Sequence, residues 1–178
     1  TWQPKSKVID QYSTEKLYFL VQGQYEEITL RVERFFFGGT STTPEPKVSI
    51  DHPIPRTVYE FSISPLTLDL EGLSGALDYY EVWVADEQLN RISEIRTYRM
   101  DYQPHEEVRQ FLFRNSLGGF DTLRVTGDME EGVELERSTI GKILGTDFTE
   151  MNHQLAQHSV AETKVYKANT GWLTKEQT

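Results

Sequence analysis

Four histidines are the residues of this chain whose type is best suited to acid–base or metal chemistry: His52, His105, His153 and His158. No two of them have the i, i+4 spacing of a helical zinc motif. His153 and His158 are five residues apart, and no Glu lies between them. The chain has no cysteine, which excludes thiolate metal sites, cysteine nucleophiles and disulfides. The sequence therefore predicts no catalytic metal and no cofactor.

A short acidic segment offers a second kind of metal chemistry. Asp128, Glu130 and Glu131 lie between Gly127 and Gly132, and oxygen ligands at alternate positions suit a calcium ion. The twelve-residue pattern of a common calcium loop is missing, and a Gly-Asp pair is also typical of a hairpin turn. These three carboxylates are candidate calcium ligands, with a plain turn as the alternative.

Motifs of the common enzyme classes are missing. The sequence contains no Gly-x-Ser-x-Gly elbow and no phosphate-binding loop. A chain with 28 acidic residues always contains some carboxylate pair suited to glycoside hydrolysis, and only their separation in space would identify it. We therefore predict a protein that is not an enzyme and keep catalysis as a third hypothesis, behind two binding functions given below.

Aromatic side chains are the remaining candidates for a site, since they make up 12% of the chain. Phe35, Phe36 and Phe37 are consecutive, so in a strand they face both ways, and at least one lies near solvent or a neighbouring surface. Trp83 and Tyr98 each lie on a strand face that is either wet or covered. We predict these five residues as interface or ligand-stacking residues. Packing in a second core is the alternative for Trp83 and Tyr98.

The elements that must position these residues follow a period of two. Apolar residues alternate with polar ones in short runs such as Ile28, Leu30 and Val32, and turn residues separate the runs. Only residues 153–161 have the composition of a short helix. The pattern predicts an all-β fold whose strands lie at 15–22, 26–37, 46–50, 56–63, 66–70, 79–86, 92–102, 107–115, 120–127 and 131–140, with a further strand near 160–168.

Four prolines set residues 40–55 apart: Pro44, Pro46, Pro53 and Pro55. Each lacks the N–H that a central strand would donate to its neighbour. The segment is therefore predicted to be a long loop, or an edge strand between loops.

A domain boundary is predicted at residues 103–107. About 100 residues with seven predicted strands precede it, and an immunoglobulin-like β-sandwich has this length and this number of strands. Residues 1–102 are thus predicted to form that sandwich, and residues 103–178 a second β-rich unit; a single larger jelly-roll-type sandwich is the alternative. Thr1 at the start and a capping pattern from Thr174 to Gln177 at the end suggest a piece of a longer polypeptide, truncated at its C-terminus.

Size and charge limit the partners. The chain has 178 residues and a net charge of −10, whereas binding to nucleic acid needs clustered Lys and Arg. Its longest apolar run, Leu17–Val21, has five residues, and a membrane-spanning helix needs about 20. We therefore predict no nucleic-acid partner and no membrane span.

Two segments resemble a known group of proteins: 111–127, with the sequence FLFRNSLGGFDTLRVTG, and 169–174, with the sequence NTGWLT. They are similar to poorly characterised β-rich, tail-associated proteins encoded in prophage-like regions of gut bacteria, over about residues 92–178. The resemblance implies a virion-associated or extracellular location and carries no catalytic residue. Within the first segment, Asn115 to Gly119 are predicted to form a hairpin turn in which glycine, Gly119 in particular, adopts a positive φ.

These observations lead to two competing functions. The first is a non-catalytic structural or adhesive module of a larger extracellular or phage-tail-like assembly, whose partners are other protein subunits or domains of the same polypeptide. The second is a carbohydrate-binding module that stacks glycans on exposed aromatics, among them Trp2, Trp83 and Trp172. A large apolar patch or an unpaired sheet edge would favour the first function.

Overall fold

The computed structural model describes residues 4–70, 76–115, 118–141 and 155–169, and every regular element among these residues is a β-strand. No helix occurs within these ranges, so the predicted all-β fold is confirmed. The strands are β1 (Ser6–Ile9), β2 (Lys16–Leu20), β3 (Glu27–Phe36), β4 (Glu45–Asp51), β5 (Val58–Ser62), β6 (Leu77–Asp86), β7 (Arg96–Met100), β8 (Arg109–Arg114), β9 (Phe120–Val125), β10 (Met129–Gly141) and β11 (Leu155–Ala168).

Two details of the predicted strand pattern are wrong. β1 is missed, because a strand of four residues is too short to show an alternation. Residues 66–70 form turns instead of a strand, since the Leu70 N–H donates to the Pro65 carbonyl at 3.2 Å. Residues 153–161 have the composition of a short helix, but from Leu155 onward they belong to β11.

The larger sheet has five strands in the order β1-β7-β6-β3-β4. β1 runs parallel to β7, and the other neighbours are antiparallel. β4 lies at one edge, and its register shifts beside Pro46, which pairs with Arg31. Proline is tolerated in an edge strand because the N–H that it lacks is not needed by a neighbouring strand. The position of β4 at the edge confirms the edge-strand interpretation of residues 40–55.

A shared hydrophobic core joins this sheet to a second one, in which β2 pairs antiparallel with β5. Leu17 and Phe61 enter the core from the smaller sheet, and Val32, Val82 and Tyr98 enter it from the larger one. The two sheets therefore form a β-sandwich. Each large apolar side chain buried there contributes about 1.5–3 kcal/mol.

A buried polar cluster ties the β8–β9 hairpin to the strands before it. The Glu15 carboxylate, whose side chain is 4% exposed, accepts a hydrogen bond from Lys7 Nζ at 3.0 Å. It also accepts hydrogen bonds from the Thr122 hydroxyl in β9 and, at 3.3 Å, from the Gln110 amide in β8. Lys7 Nζ in turn lies 3.3 Å from the Thr122 carbonyl oxygen. One buried carboxylate thus fixes both strands of the hairpin.

The turn of this hairpin has its positive φ at a different glycine from the one predicted. Gly118 has a φ of 87°, whereas Gly119 is not in the positive-φ region. Gly119 is required for a steric reason, because a Cβ there would lie 2.9 Å from the Tyr18 ring. The ring is held in place by a hydrogen bond of 2.7 Å from the Tyr18 hydroxyl to Glu60.

The described residues divide into two compact units, the first ending at Thr126 and the second spanning Gly127–Asn169. The hairpin β8–β9 belongs to the first unit, although the boundary expected from the sequence precedes it. That boundary, at 103–107, stays a prediction. At the base of the second unit the Gly127 N–H donates to the Asn169 carbonyl at 3.1 Å.

The second unit is an antiparallel ribbon of β10 and β11, in which every residue of β10 has a partner. One irregularity interrupts the pairing between Ser138 and Thr139. Most of its described side chains are exposed, including Val133, Leu135 and Val160. We call this unit the ribbon below.

No helix in the described ranges is long and apolar enough to cross a membrane.

Candidate functional site

A cleft of the first unit has a volume of about 640 Å³. It is lined by the loop that follows β1, by the segment after β7, and by β8 and β9. Tyr12, 74% exposed, lies at this cleft, and Asp10, Asp101, His105 and Arg124 contribute its ionisable groups. Sequence reasoning missed the site, because these residues come from three separate parts of the chain.

Arg124 organises the charges of the cleft. Its Nε donates to Asp10 Oδ2 at 3.2 Å, and its Nη1 donates to Asp101 Oδ2 at 2.8 Å. The side chain of Arg124 is 10% exposed, so the guanidinium is largely withdrawn from water and neutralised by two carboxylates. This clamp joins the loop after β1, the end of β7 and strand β9.

Asp101 is the most heavily bonded acid of the cleft. Its Oδ2 also lies 2.7 Å from His105 Nε2, and its Oδ1 accepts the Gln103 N–H at 3.0 Å. Burial by itself would raise the pKa of Asp101, but the hydrogen bonds from Gln103, His105 and Arg124 and the charge of Arg124 outweigh it. The net result is a pKa below the ordinary value of 3.8, so Asp101 is ionised at neutral pH.

The cleft holds an acid and a histidine in contact, but its serine faces elsewhere. Ser13 Oγ donates to Asp10 Oδ1 at 3.2 Å and accepts the Asp10 N–H at 3.1 Å. A serine nucleophile would instead need its hydroxyl within hydrogen-bond reach of the base. The bonds made by Asp10, Asp101 and Arg124 are those of a structural clamp between segments.

The three consecutive phenylalanines divide between core, sheet face and solvent. Phe36 packs against the core. Phe35 lies on the outer face of the larger sheet and stacks on Tyr79, with ring centroids 4.4 Å apart. Phe37 is 57% exposed, and its ring centroid lies 6.3 Å from that of Tyr102. The expectation that at least one ring reaches solvent is therefore met by Phe37.

Trp83 and Tyr98 lie on opposite faces of the same sheet. Trp83 is half-buried on the outer face and pairs in register with Arg31 of β3. Tyr98 is 5% exposed within the core, where it stacks on Tyr80 at 5.3 Å. A ligand has no access to Tyr98 in this fold, so its predicted stacking or interface role is withdrawn in favour of core packing.

The candidate calcium ligands are not gathered into a site. Glu130 and Glu131 are consecutive residues of β10, so their side chains leave opposite faces of the ribbon. Glu131 Oε1 accepts a hydrogen bond of 3.4 Å from the Tyr166 hydroxyl and lies 4.0 Å from Lys164 Nζ. Among the described residues, no group of three or more His, Asp or Glu side chains could hold a metal ion.

The ribbon has one face that is more apolar than the other. Register and alternation place Val133 and Leu135 of β10 on the same face as Val160 and Tyr166 of β11. These side chains are exposed by 52%, 51%, 48% and 50%, respectively. We call them the apolar ribbon face. The sequence showed the alternation in 131–140, but the length of the second strand and its pairing were not predicted.

Comparisons with protein-family models and with curated proteins find no match to this chain.

Proposed function

We propose that the chain is a non-catalytic structural module that joins other protein subunits of a larger assembly through its ribbon. The observation that carries this proposal is the ribbon itself. Within the described residues β10 and β11 form a sheet of two strands only, so each strand has one edge without a strand partner there. A two-stranded ribbon is marginally stable in water unless further strands or a packed face support it.

The apolar ribbon face supports the same proposal. Four large apolar side chains, each about half exposed, lie on one face of two strands, and each pairs across the ribbon with a charged residue. Large apolar side chains exposed near one another on a surface are typical of contacts with another protein. Strand addition at an open edge supplies main-chain hydrogen bonds, and the apolar side chains supply specificity. An extracellular or phage-tail-like assembly is the setting that we propose from the sequence resemblance.

The first seven strands fit the proposed immunoglobulin-like sandwich as the rigid part of such a module. β2 pairs with β5, while β3 pairs with both β4 and β6, and β6 pairs with β7. Strands B and E, and strands C′, C, F and G, pair in this way in an immunoglobulin-type sandwich. The buried Tyr80 hydroxyl of β6 donates to the Ile63 carbonyl after β5 at 2.7 Å, which links the two sheets.

Sedimentation velocity over a range of protein concentrations tests the proposed function. We expect species larger than the 20.6 kDa chain, and we expect Leu135→Lys to reduce them because it places a charge on the apolar ribbon face. Glu134→Lys is the matched control, since Glu134 is a neighbouring exposed residue on the other face. Association that is equally sensitive to both substitutions, or absent in the unmodified chain, would contradict a role of this face.

Carbohydrate binding is the alternative, and the outer face of the larger sheet is the feature that favours it. Trp83 and Tyr79 alternate with core residues of β6 and therefore share that face, where Arg99 lies 5.6 Å from the Tyr79 ring centroid. We expect no glycan to bind more tightly than about millimolar. Titration calorimetry against a glycan panel decides this, and tight binding lost in Trp83→Ala would replace assembly with carbohydrate recognition.

A further inference from the structure

The sequence of β11 is self-complementary about its middle. Residues 160–166 read Val-Ala-Glu-Thr-Lys-Val-Tyr, so that two apolar residues and one charge flank Thr163 on each side, with the charges opposite in sign. The pairing of β11 with β10 is regular over this stretch. A second β11 that runs antiparallel to the first, with Thr163 opposite Thr163, therefore meets a complementary residue at each position.

We propose that two copies of this chain pair edge to edge along β11, about a two-fold axis at Thr163, and form a continuous four-stranded sheet. The proposal rests on the proposed function and names its partner as a second copy. In this register Glu162 lies opposite Lys164 of the other copy, and this happens twice. Val160 likewise lies opposite Tyr166 of the other copy, which joins the two apolar ribbon faces into one.

Several features of the ribbon make this pairing favourable. Glu162 and Thr163 are exposed, and Lys164 has a side-chain exposure of 59%, so these residues are accessible to a second strand. Opposite charges and apolar pairs directly across antiparallel strands stabilise a sheet. A two-fold interface is the commonest way in which identical chains associate.

The other edge of the ribbon repels a copy of itself. β10 carries Glu130, Glu131, Glu134 and Glu136 against a single basic residue, Arg137. A two-fold antiparallel pairing of β10 with β10 therefore brings a row of carboxylates close to a second row, and like charges opposite each other destabilise a sheet. The charge distribution thus selects β11 as the edge for two-fold pairing.

A single cysteine tests the position of the axis, because the chain has no cysteine of its own. Cα atoms opposite each other in antiparallel strands are about 4.5–5.5 Å apart, within the range that a disulfide spans. Thr163→Cys should therefore form a disulfide-linked dimer on mild oxidation, as read on a non-reducing gel. Ser159→Cys is the matched control, since its two copies would lie about 27 Å apart along the strands.

A charge swap tests the pairing without a covalent bond. Glu162→Lys alone and Lys164→Glu alone each place like charges opposite each other twice, and should weaken dimerisation by about tenfold to a hundredfold. The double variant Glu162→Lys/Lys164→Glu restores opposite charges and should recover the affinity of the unmodified chain. Sedimentation equilibrium at low salt measures the dissociation constants.

The outcomes separate this inference from the function on which it rests. Cross-linking at residue 163 but not at 159, with recovery in the double variant, supports the two-fold pairing. Three results would overturn the two-fold pairing: equal cross-linking at both positions, a double variant that does not recover affinity, or species larger than a dimer built by β10–β11 contacts. Each of them leaves assembly through the ribbon in place. A chain that stays monomeric at every concentration overturns both.

Discussion

Replacing Lys7 by methionine tests whether the buried polar cluster fixes the β8–β9 hairpin. The substitution removes the ammonium that lies 3.0 Å from Glu15 Oε2, and the Glu15 side chain is only 4% exposed. The carboxylate then keeps its hydrogen bonds from Thr122 and Gln110 but loses its counter-charge. Methionine has a similar length, so the change in packing is small compared with the change in charge.

The expected loss follows from the cost of an uncompensated buried charge, which is about 3–5 kcal/mol when one partner of a buried ion pair is removed. Lys7 is 18% exposed and two other donors remain on Glu15, so the lower end, about 3 kcal/mol, applies. With a urea dependence of about 1–3 kcal/mol/M, the unfolding midpoint should fall by about 1–3 M.

Urea unfolding followed by circular dichroism measures this shift, with Lys16→Met as the matched control. Lys16 Nζ lies 2.6 Å from Glu60, but these two side chains are more exposed than those of Lys7 and Glu15: 29% for Lys16 and 43% for Glu60. Water screens such a pair, so its loss should have a much smaller effect. The double variant Lys7→Met/Glu15→Gln should recover part of the loss, since a neutral amide costs less to bury than a carboxylate.

The result that refutes this reasoning is a midpoint for Lys7→Met that falls no further than that for Lys16→Met. Glu15 would then be reached by water in solution, and the hairpin would be held by apolar contacts. A double variant that loses the sum of the two single effects would likewise contradict an ion pair between Lys7 and Glu15.

Two further predictions concern the cleft and the hairpin turn. The folded-state pKa of Asp101 is lowered, so the stability that Asp101 provides is complete above about pH 3.8 and is lost as the pH falls through the lower folded value. In thermal melts Asp101→Asn should therefore be less stable than the unmodified chain at neutral pH, and the difference in melting temperature should vanish in acid. A difference that is independent of pH would contradict the hydrogen-bonded carboxylate. Gly118→Ala should lower the free energy of unfolding by about 1–3 kcal/mol through backbone strain. Gly119→Ala should instead destabilise the fold through a clash with the Tyr18 ring, so most of its effect should disappear in a Tyr18→Ala background. Equal effects of Gly119→Ala in both backgrounds, measured by urea unfolding, would contradict the contact with Tyr18.

The sequence predicted the sandwich well because its strands have one apolar and one polar face. In β3 and β6 the alternation of Leu30 and Val32, and of Val82 and Val84, matches the residues that are buried in the structure. The strand predicted at residues 66–70 is wrong, because Leu68 and Leu70 lie in a turn although their side chains are buried. The apolar pattern therefore predicted a strand at a place where the backbone makes local hydrogen bonds.

The candidate site was less accessible to sequence reasoning. Arg124, Asp10 and Asp101 come together only through the tertiary fold, and no local spacing relates them. Tyr98 illustrates a second limit, because the alternation gave the face that it shares with Arg96 and Met100 but not which face is covered. For Gly119 the predicted cause, a positive φ, was wrong, and the steric contact with Tyr18 was not predicted because Tyr18 is distant in the sequence.

The parallel pairing of β1 with β7 has a consequence for the order of events during synthesis. Ser6 is aligned with Thr97, and Lys7 contacts Thr122, which is 115 residues further along the chain. At about 5–20 residues per second, a ribosome needs on the order of ten seconds to deliver Thr122 after Lys7. β1 therefore leaves the ribosome well before either partner exists. We expect it to be the last strand of the sandwich to find its place, and the point at which a nascent chain is most exposed to proteases and chaperones.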